Sequence, residues 1–198
     1  MTTTIFFVRH GSHDRLNRVL CGRMPGVVLS EHGREEVLAV GRRLAEERIS
    51  AIYSSPLERT RETADLIARA AALPVETSED LLEVDFGAWT GATFEALRAD
   101  PGWPAWNEAR GVARPPDGES LLDVQARLRR FVEAAKERHP DQRIIAVSHG
   151  DPIKTVLAEA LGMPLDNLDR LEISPASVSV LIAGAWGMRV FSVNEAVR

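Results

Sequence analysis

Two histidines in this sequence stand directly before a glycine at the end of an apolar run, in Arg9-His10-Gly11 and Ser148-His149-Gly150. Each tripeptide follows an unbroken apolar run, Ile5-Phe6-Phe7-Val8 in the first case and Ile144-Ile145-Ala146-Val147 in the second. Runs of that kind mark strands buried on both faces. A third segment, Ser54-Ser55-Pro56-Leu57-Glu58-Arg59, follows the short run Ala51-Ile52-Tyr53. Ligands of open parallel sheets bind where strands end and loops turn into helices. Two histidines and two arginines, Arg9 and Arg59, are therefore expected at one sheet edge, and none of them is needed to fill a core. A small pocket with that much positive charge and so many hydrogen-bond donors suits a phosphoryl group. Either tripeptide alone is weak evidence, because a strand-end histidine is often only structural. The conjunction carries the reading.

The elements that must position these residues alternate in type. After the first strand, residues 34–48 carry Val37, Val40, Gly41 and Leu44 at helical spacing, with Ser30 and Glu31 just upstream. The second strand, 51–53, precedes a helix whose Ala64, Ile67, Ala68 and Ala71 share one face. Leu121, Val124, Leu128, Phe131, Val132 and Ala135 mark an amphipathic helix with Ser120 at its N-cap. The strand at 143–147 leads into a helix over 152–162, with Pro152 at its first position. Two or three late strands are expected near 170–173, 177–183 and 188–194. Strands alternating with helices give an α/β layered fold with a largely parallel sheet. The stretch 100–118, dense in Pro, Gly and Trp, is read as an irregular insertion loop within one domain spanning 1–198.

Composition excludes several classes. The 198 residues carry 24 Lys plus Arg against 29 Asp plus Glu, a formal net charge of −5, so no broad nucleic-acid surface is expected. With 44% hydrophobic and 27% charged residues the chain is globular rather than disordered. Cys21 is the one cysteine, which excludes an intramolecular disulfide and a Cys-rich zinc site. The apolar run before Arg9 is too short for a signal-peptide core or a membrane span. The expectation is a cytoplasmic protein with no membrane or nucleic-acid partner.

In order along the chain, the segments Phe6-Phe7-Val8-Arg9-His10-Gly11, Leu29-Ser30-Glu31-His32-Gly33-Arg34 and Ser54-Ser55-Pro56-Leu57-Glu58-Arg59-Thr60-Arg61-Glu62-Thr63-Ala64 form a joint pattern. It continues through Leu82-Glu83-Val84-Asp85-Phe86-Gly87-Ala88-Trp89-Thr90-Gly91, Gly118-Glu119-Ser120 and Val147-Ser148-His149-Gly150. The pattern resembles the histidine phosphatase superfamily, which includes the cofactor-dependent phosphoglycerate mutases, over nearly the whole chain. Cys21-Gly22-Arg23-Met24-Pro25-Gly26 looks closest to a bacterial branch described as phosphatases or phosphomutases. The resemblance implies a phosphoglycerate mutase-like fold, a three-layer α/β/α sandwich around a mostly parallel sheet with an antiparallel edge strand. It also implies His10 as the nucleophile that forms a phosphohistidine, and Arg9, Arg59 and His149 as ligands of the phosphoryl oxygens. Gly11 and Gly150 fall in the same substrate-binding set, Gly150 through backbone donors at a helix start. Glu83 would protonate the departing alkoxide and then deprotonate water, with Asp85 as the fallback acid.

The pattern is broken after the nucleophile. The family commonly places Thr two residues after the glycine and Asn three further on, where this chain has His13 and Leu16, with Asn17 one place late. Asn17 is kept as a candidate phosphate ligand. His13 and Asp14 either replace the missing contacts or lie exposed in a loop, and both readings stand at this point. Arg23 is kept as a substrate-facing turn residue, and Trp103 and Trp106 as residues of the pocket mouth. No further ligands complete a metal site around His10, His13 and Asp14, so neither metal nor cofactor is expected. The reading is a metal-independent phosphatase of a small phosphorylated metabolite, active as a monomer or homodimer. A phosphomutase of the phosphoglycerate mutase type is the alternative, and a non-catalytic phospho-ligand binding module is the alternative from another class.

Overall fold

The structure, a computed structural model, describes residues 1–196. Its centre is β1 (Thr2–Arg9), whose Ile5, Phe6, Phe7 and Val8 are all buried. Side chains alternate across a strand, so Ile5 and Phe7 point into one apolar layer and Phe6 and Val8 into the other. That two-sided burial is why the run is continuous rather than alternating.

Five further strands extend the sheet: β2 (Ala51–Ser54), β3 (Val75–Thr77), β4 (Arg143–Ser148), β5 (Val178–Gly184) and β6 (Gly187–Glu195). Their order is β3-β2-β4-β1-β5-β6. The first four strands in that order are parallel, with β4 between β1 and β2. β5 runs antiparallel to β1, and β6 antiparallel to β5. The expected antiparallel edge is thus two strands wide. The three-residue β3 lies in a stretch the sequence reading left without a strand, because only its Val75 is apolar.

On one face, Val37, Val40 and Leu44 of α1 (Glu31–Leu44) and Ala64 and Ile67 of α2 (Glu58–Ala71) meet Phe6, Val8, Ile52, Ile145 and Val147. On the other, α5 (Leu121–Arg138) and α6 (Gly150–Leu161) cover Ile5, Phe7, Ile144 and Ala146. Three layers result, with the sheet in the middle. α1 begins three residues earlier than its apolar spacing suggested, because the Ser30 hydroxyl accepts from the Gly33 amide at 3.1 Å and fixes the start. Ser120 caps α5 in a reciprocal capping box with Asp123.

Three expectations are corrected. The stretch 100–118 holds the helix α4 (Gly102–Glu108), preceded by the short α3 (Phe94–Arg98). Its prolines, Pro101 at the N-cap and Pro104 in the first turn, occupy positions where no intrahelical N–H is needed. Trp106 is buried there, edge-on to Phe86 at 5.9 Å. Residues 170–173 form no strand. A 3-10 segment, Leu165–Arg170, ends there, and the chain crosses the end of β1, where the Ile173 carbonyl accepts from Arg9 Nη1 at 2.5 Å. Finally, α6 starts at Gly150, so Pro152 is its third residue and the amides of Gly150 and Asp151 lie in the first turn.

Candidate active site

The C-terminal ends of β1 and β4, the start of α2 and the segment after the 3-10 turn Glu79–Leu81 converge on one cleft of about 440 Å³. Arg9, His10, Arg59, Glu83 and Gly150 all line it. Strand pairing aligns the first two elements, since Arg9 lies opposite Ser148 and the His10 amide donates to the Ser148 carbonyl at 3.1 Å. His149 follows as the N-cap of α6, and its ring stands 5.3 Å from that of His10 in an edge-on arrangement.

Hydrogen bonds fix the tautomers. The Gly11 carbonyl can only accept, so His10 Nδ1 donates to it at 2.9 Å and Nε2 keeps its lone pair. Arg59 Nη2 donates to His149 Nδ1 at 3.1 Å, which leaves His149 Nε2 to donate to Ser55 Oγ at 2.9 Å. Burial, reinforced by the charge of Arg59, pushes both imidazoles well below the ordinary histidine range, so both are neutral near pH 7.

Arg59 is almost completely buried as the second residue of α2, and its Nη2 also donates to the Gly22 carbonyl at 2.7 Å. Its Nε and Nη1, with Nε of Arg9, are buried and find no partner among the described residues. Unpaired buried donors are costly and rare in native proteins. Here three of them belong to two arginines that line the same cleft as a neutral imidazole, a demand that an oxyanion with several acceptor atoms meets.

The Glu83 carboxyl faces the same cleft. Burial, with the Asp151 charge second, pushes it up to about 7, against the opposing pull of Arg59 and Arg9. A carboxyl near that value holds a proton part of the time at neutral pH and can both give and take one. Its backbone is anchored from two sides. Arg23 Nε donates to the Glu83 carbonyl at 2.9 Å, and Arg127 Nη1 donates to the Asp80 carbonyl at 2.7 Å. Glu119 joins the two guanidiniums, accepting from Arg23 Nη2 at 3.0 Å and from Arg127 Nε at 2.9 Å.

The candidate residues divide accordingly. Arg9, His10, Arg59, Glu83 and Gly150 line the cleft, Asn17 sits at its exposed rim with φ of 60°, and His149 lies fully buried behind His10. Arg23 is not at the cleft surface: Asp85, Glu119 and the Glu83 backbone use its guanidinium, so it holds the Glu83 segment rather than a ligand. Asp85 turns away, capping the Gly87 amide at 2.9 Å. Gly11 is needed for close approach, since a Cβ there would lie 2.6 Å from the Gly33 carbonyl oxygen, and its amide donates to Thr63 Oγ1 at 3.2 Å. His13 is buried in the cleft while Asp14 is exposed, which separates two neighbours the sequence left undecided.

Sequence reasoning missed Asn107, Arg110, Asp151 and Lys154 as wall residues. Gly150, Asp151 and Lys154 share one helix face by their spacing, a signal that was available. Arg110 carried none, because its place depends on α4. Among the described residues no group of three or more His, Cys, Asp or Glu side chains is arranged to hold a metal ion, and no helix is long and apolar enough to cross a membrane.

Residues 5–196 match the histidine phosphatase superfamily (branch 1), and the chain belongs to that family. It is 39% identical over 183 residues to a bifunctional protein of Mycobacterium tuberculosis, covering 90% of this chain and 50% of that one. The chain thus spans about half the length of these mycobacterial relatives. Phosphoserine phosphatase 1 of Hydrogenobacter thermophilus is 32% identical over 182 residues, covering 89% of this chain and 85% of the relative. Among solved structures, a mycobacterial glucosyl-3-phosphoglycerate phosphatase superposes with a TM-score of 0.88 at 29% identity, covering 98% of this chain and 99% of the other. The fold is the phosphoglycerate mutase-like one, with phosphatases among its neighbours.

Proposed function

We propose that this protein is a metal-independent phosphatase that hydrolyses a small, polar phosphomonoester through a phosphohistidine on His10. The observation that carries this reading is the set of unpartnered, buried guanidinium nitrogens of Arg9 and Arg59 around an imidazole whose Nε2 is free. The names of the phosphatase relatives support it.

In the first half-reaction, the His10 Nε2 lone pair attacks phosphorus while the ester P–O bond breaks on the opposite side. The Nδ1–H bond to the Gly11 carbonyl holds the ring in the attacking tautomer. Charge on the phosphoryl oxygens is met by Arg9, Arg59 and the amides opening α6. Glu83, protonated, delivers its proton to the leaving oxygen. In the second half-reaction the resulting carboxylate takes a proton from water, the water oxygen bonds to phosphorus, and the N–P bond breaks to free inorganic phosphate and regenerate neutral His10. The rest of the cleft carries charged Arg110, Lys154, Asp151, Asp169 and Glu172 together with Leu20, Phe94 and Trp103, so the remainder of the substrate meets both charged and aromatic surface.

The test is hydrolysis of p-nitrophenyl phosphate in excess EDTA. Wild type is expected to turn over, and His10→Ala to lose about 10³-fold or more of kcat. Wild-type turnover that EDTA abolishes would overturn metal independence. Full activity in His10→Ala would remove the phosphohistidine. Phosphoryl transfer between phosphoglycerates without net hydrolysis would make the protein a mutase.

A further inference from the structure

Of the three imidazoles at this site, two are committed by hydrogen bonds and one is not. His10 Nδ1 is held by Gly11, and His149 uses both ring nitrogens, on Arg59 and Ser55. His13 lies 5.3 Å from the His10 ring and is 7% exposed. Its Nδ1 is buried and finds no partner among the described residues. It lines the same cleft as the unpaired nitrogens of Arg9 and Arg59. A buried imidazole nitrogen without a partner, in a cleft shared with unpartnered guanidinium donors, is explained if a ligand bonds it.

We propose that His13 is a phosphoryl-binding residue that takes up a proton as the phosphorylated substrate enters and donates it as a hydrogen bond to a phosphoryl oxygen. The inference rests on the phosphoryl-site reading above. In the free protein burial and the charges of Arg59 and Arg9 hold the His13 imidazole down to about 4, with Arg15 acting in the same sense and Asp14 against it. His10 and Glu83 face the same cleft. A phosphoryl dianion seated between Arg9 and Arg59 offsets the two charges that keep His13 neutral, and its oxygens stabilise the imidazolium directly. Binding and protonation are then linked, each favouring the other by the same factor. Protonated His13 strengthens phosphoryl binding below the midpoint of the complex, and that gain disappears as pH rises through it.

The experiment is an imidazole ¹⁵N NMR pH titration of the wild-type protein, with and without saturating inorganic phosphate. The His13 signals are those missing from both His13→Gln and His13→Asn. The expected midpoint is about 4 in the free protein and above about 6 with phosphate. If phosphate shifts the His10 signals saturably while the His13 midpoint stays in place, the proposal is overturned and the phosphoryl site stands. If no saturable binding occurs at all, the phosphoryl-site reading fails and this proposal falls with it. Kinetics give an independent readout. His13→Gln is expected to raise KM for p-nitrophenyl phosphate about tenfold at pH 6, with kcat changed less, and the defect to shrink as pH rises through the midpoint of the complex. A defect equal at every pH would assign His13 a purely structural role and sink the idea. Should either variant fold poorly by near-ultraviolet circular dichroism, the wild-type titration still decides, with the other variant supplying the assignment.

Discussion

The two ends of the cleft are built on opposite electrostatic plans. At the phosphoryl end, Arg9 and Arg59 keep buried nitrogens without partners, and three imidazoles surround them. At the far end, Arg110 is also buried and its Nε likewise finds no partner among the described residues, but its charge is answered by carboxylates. It reaches Asp151 at 3.3 Å and Asp169 at 3.5 Å, and lies 5.7 Å above the Trp106 ring. One end requires an anion to be complete. The other meets its charge with carboxylates of the chain itself. The residues of the proposed chemistry sit at strand ends, and Arg110 follows a helix inserted between sheet elements.

The comparison breaks most visibly at Arg59. Arg59→Ala removes the buried guanidinium and orphans His149 Nδ1 and the Gly22 carbonyl. A fall in kcat/KM of about 10³-fold is expected, measured with p-nitrophenyl phosphate. A loss below tenfold would show that Arg9 and the α6 amides suffice.

Glu83→Gln comes next, with about 10²-fold lost on alkyl phosphates and much less on p-nitrophenyl phosphate, whose leaving group needs no proton. In wild type, kcat for poor leaving groups should fall as pH rises through about 7, where Glu83 gives up its proton. The sign for stability follows from the same group. A carboxyl raised to about 7 binds more protons in the folded than in the unfolded state between its ordinary value and 7. Its contribution therefore weakens as pH climbs through that window, and Glu83→Gln should raise Tm at pH 8 while lowering activity. An unchanged or lower Tm would argue against a buried, raised carboxyl.

Glu119→Ala tests the frame behind the acid. It removes the carboxylate partner of the buried Arg127 guanidinium, at an expected cost of about 3 kcal/mol in a urea unfolding experiment. A change under about 1 kcal/mol would mean that the Arg127 bond to the Asp80 carbonyl holds the segment alone.

The smallest effect belongs to the far end. Arg110→Ala should change kcat/KM for p-nitrophenyl phosphate by less than about threefold, yet reorder rates across a panel of polar phosphomonoesters by about tenfold. Parallel losses across the whole panel would erase the division between the two ends.

The gathering of Arg9, His10, Arg59 and His149 was legible because each of these four abuts a local signal. Arg9 and His10 follow a four-residue apolar run, His149 follows another, and Arg59 opens a helix just beyond a third strand. Arg23 was misread for want of such a signal: a turn arginine looks the same whether it meets a ligand or, as here, Glu119 and the Glu83 backbone. Residues 170–173 misled in another way. Leu171 and Ile173 alternate as a strand would, yet they cover the core where no sheet edge is free, since β5 already occupies the flank of β1. The helix α4 was hidden by its composition, because Pro and Gly read as breakers unless one knows that they fall at the helix start.

The sequence by itself determined the sheet-and-helix alternation, the two-sided burial of the central strands and the gathering of His10, His149, Arg9 and Arg59 at strand ends. Those follow from side-chain period and apolar run length, which are local properties. Only the tertiary structure decided that His13 is buried beside His10 while Asp14 faces solvent, that Arg23 bonds the Glu83 backbone, and that Arg110 and Lys154 line the same cleft as Arg59. Long-range contacts set the burial, charge and proton of each group, and the residues that make them stand tens of positions apart in the chain.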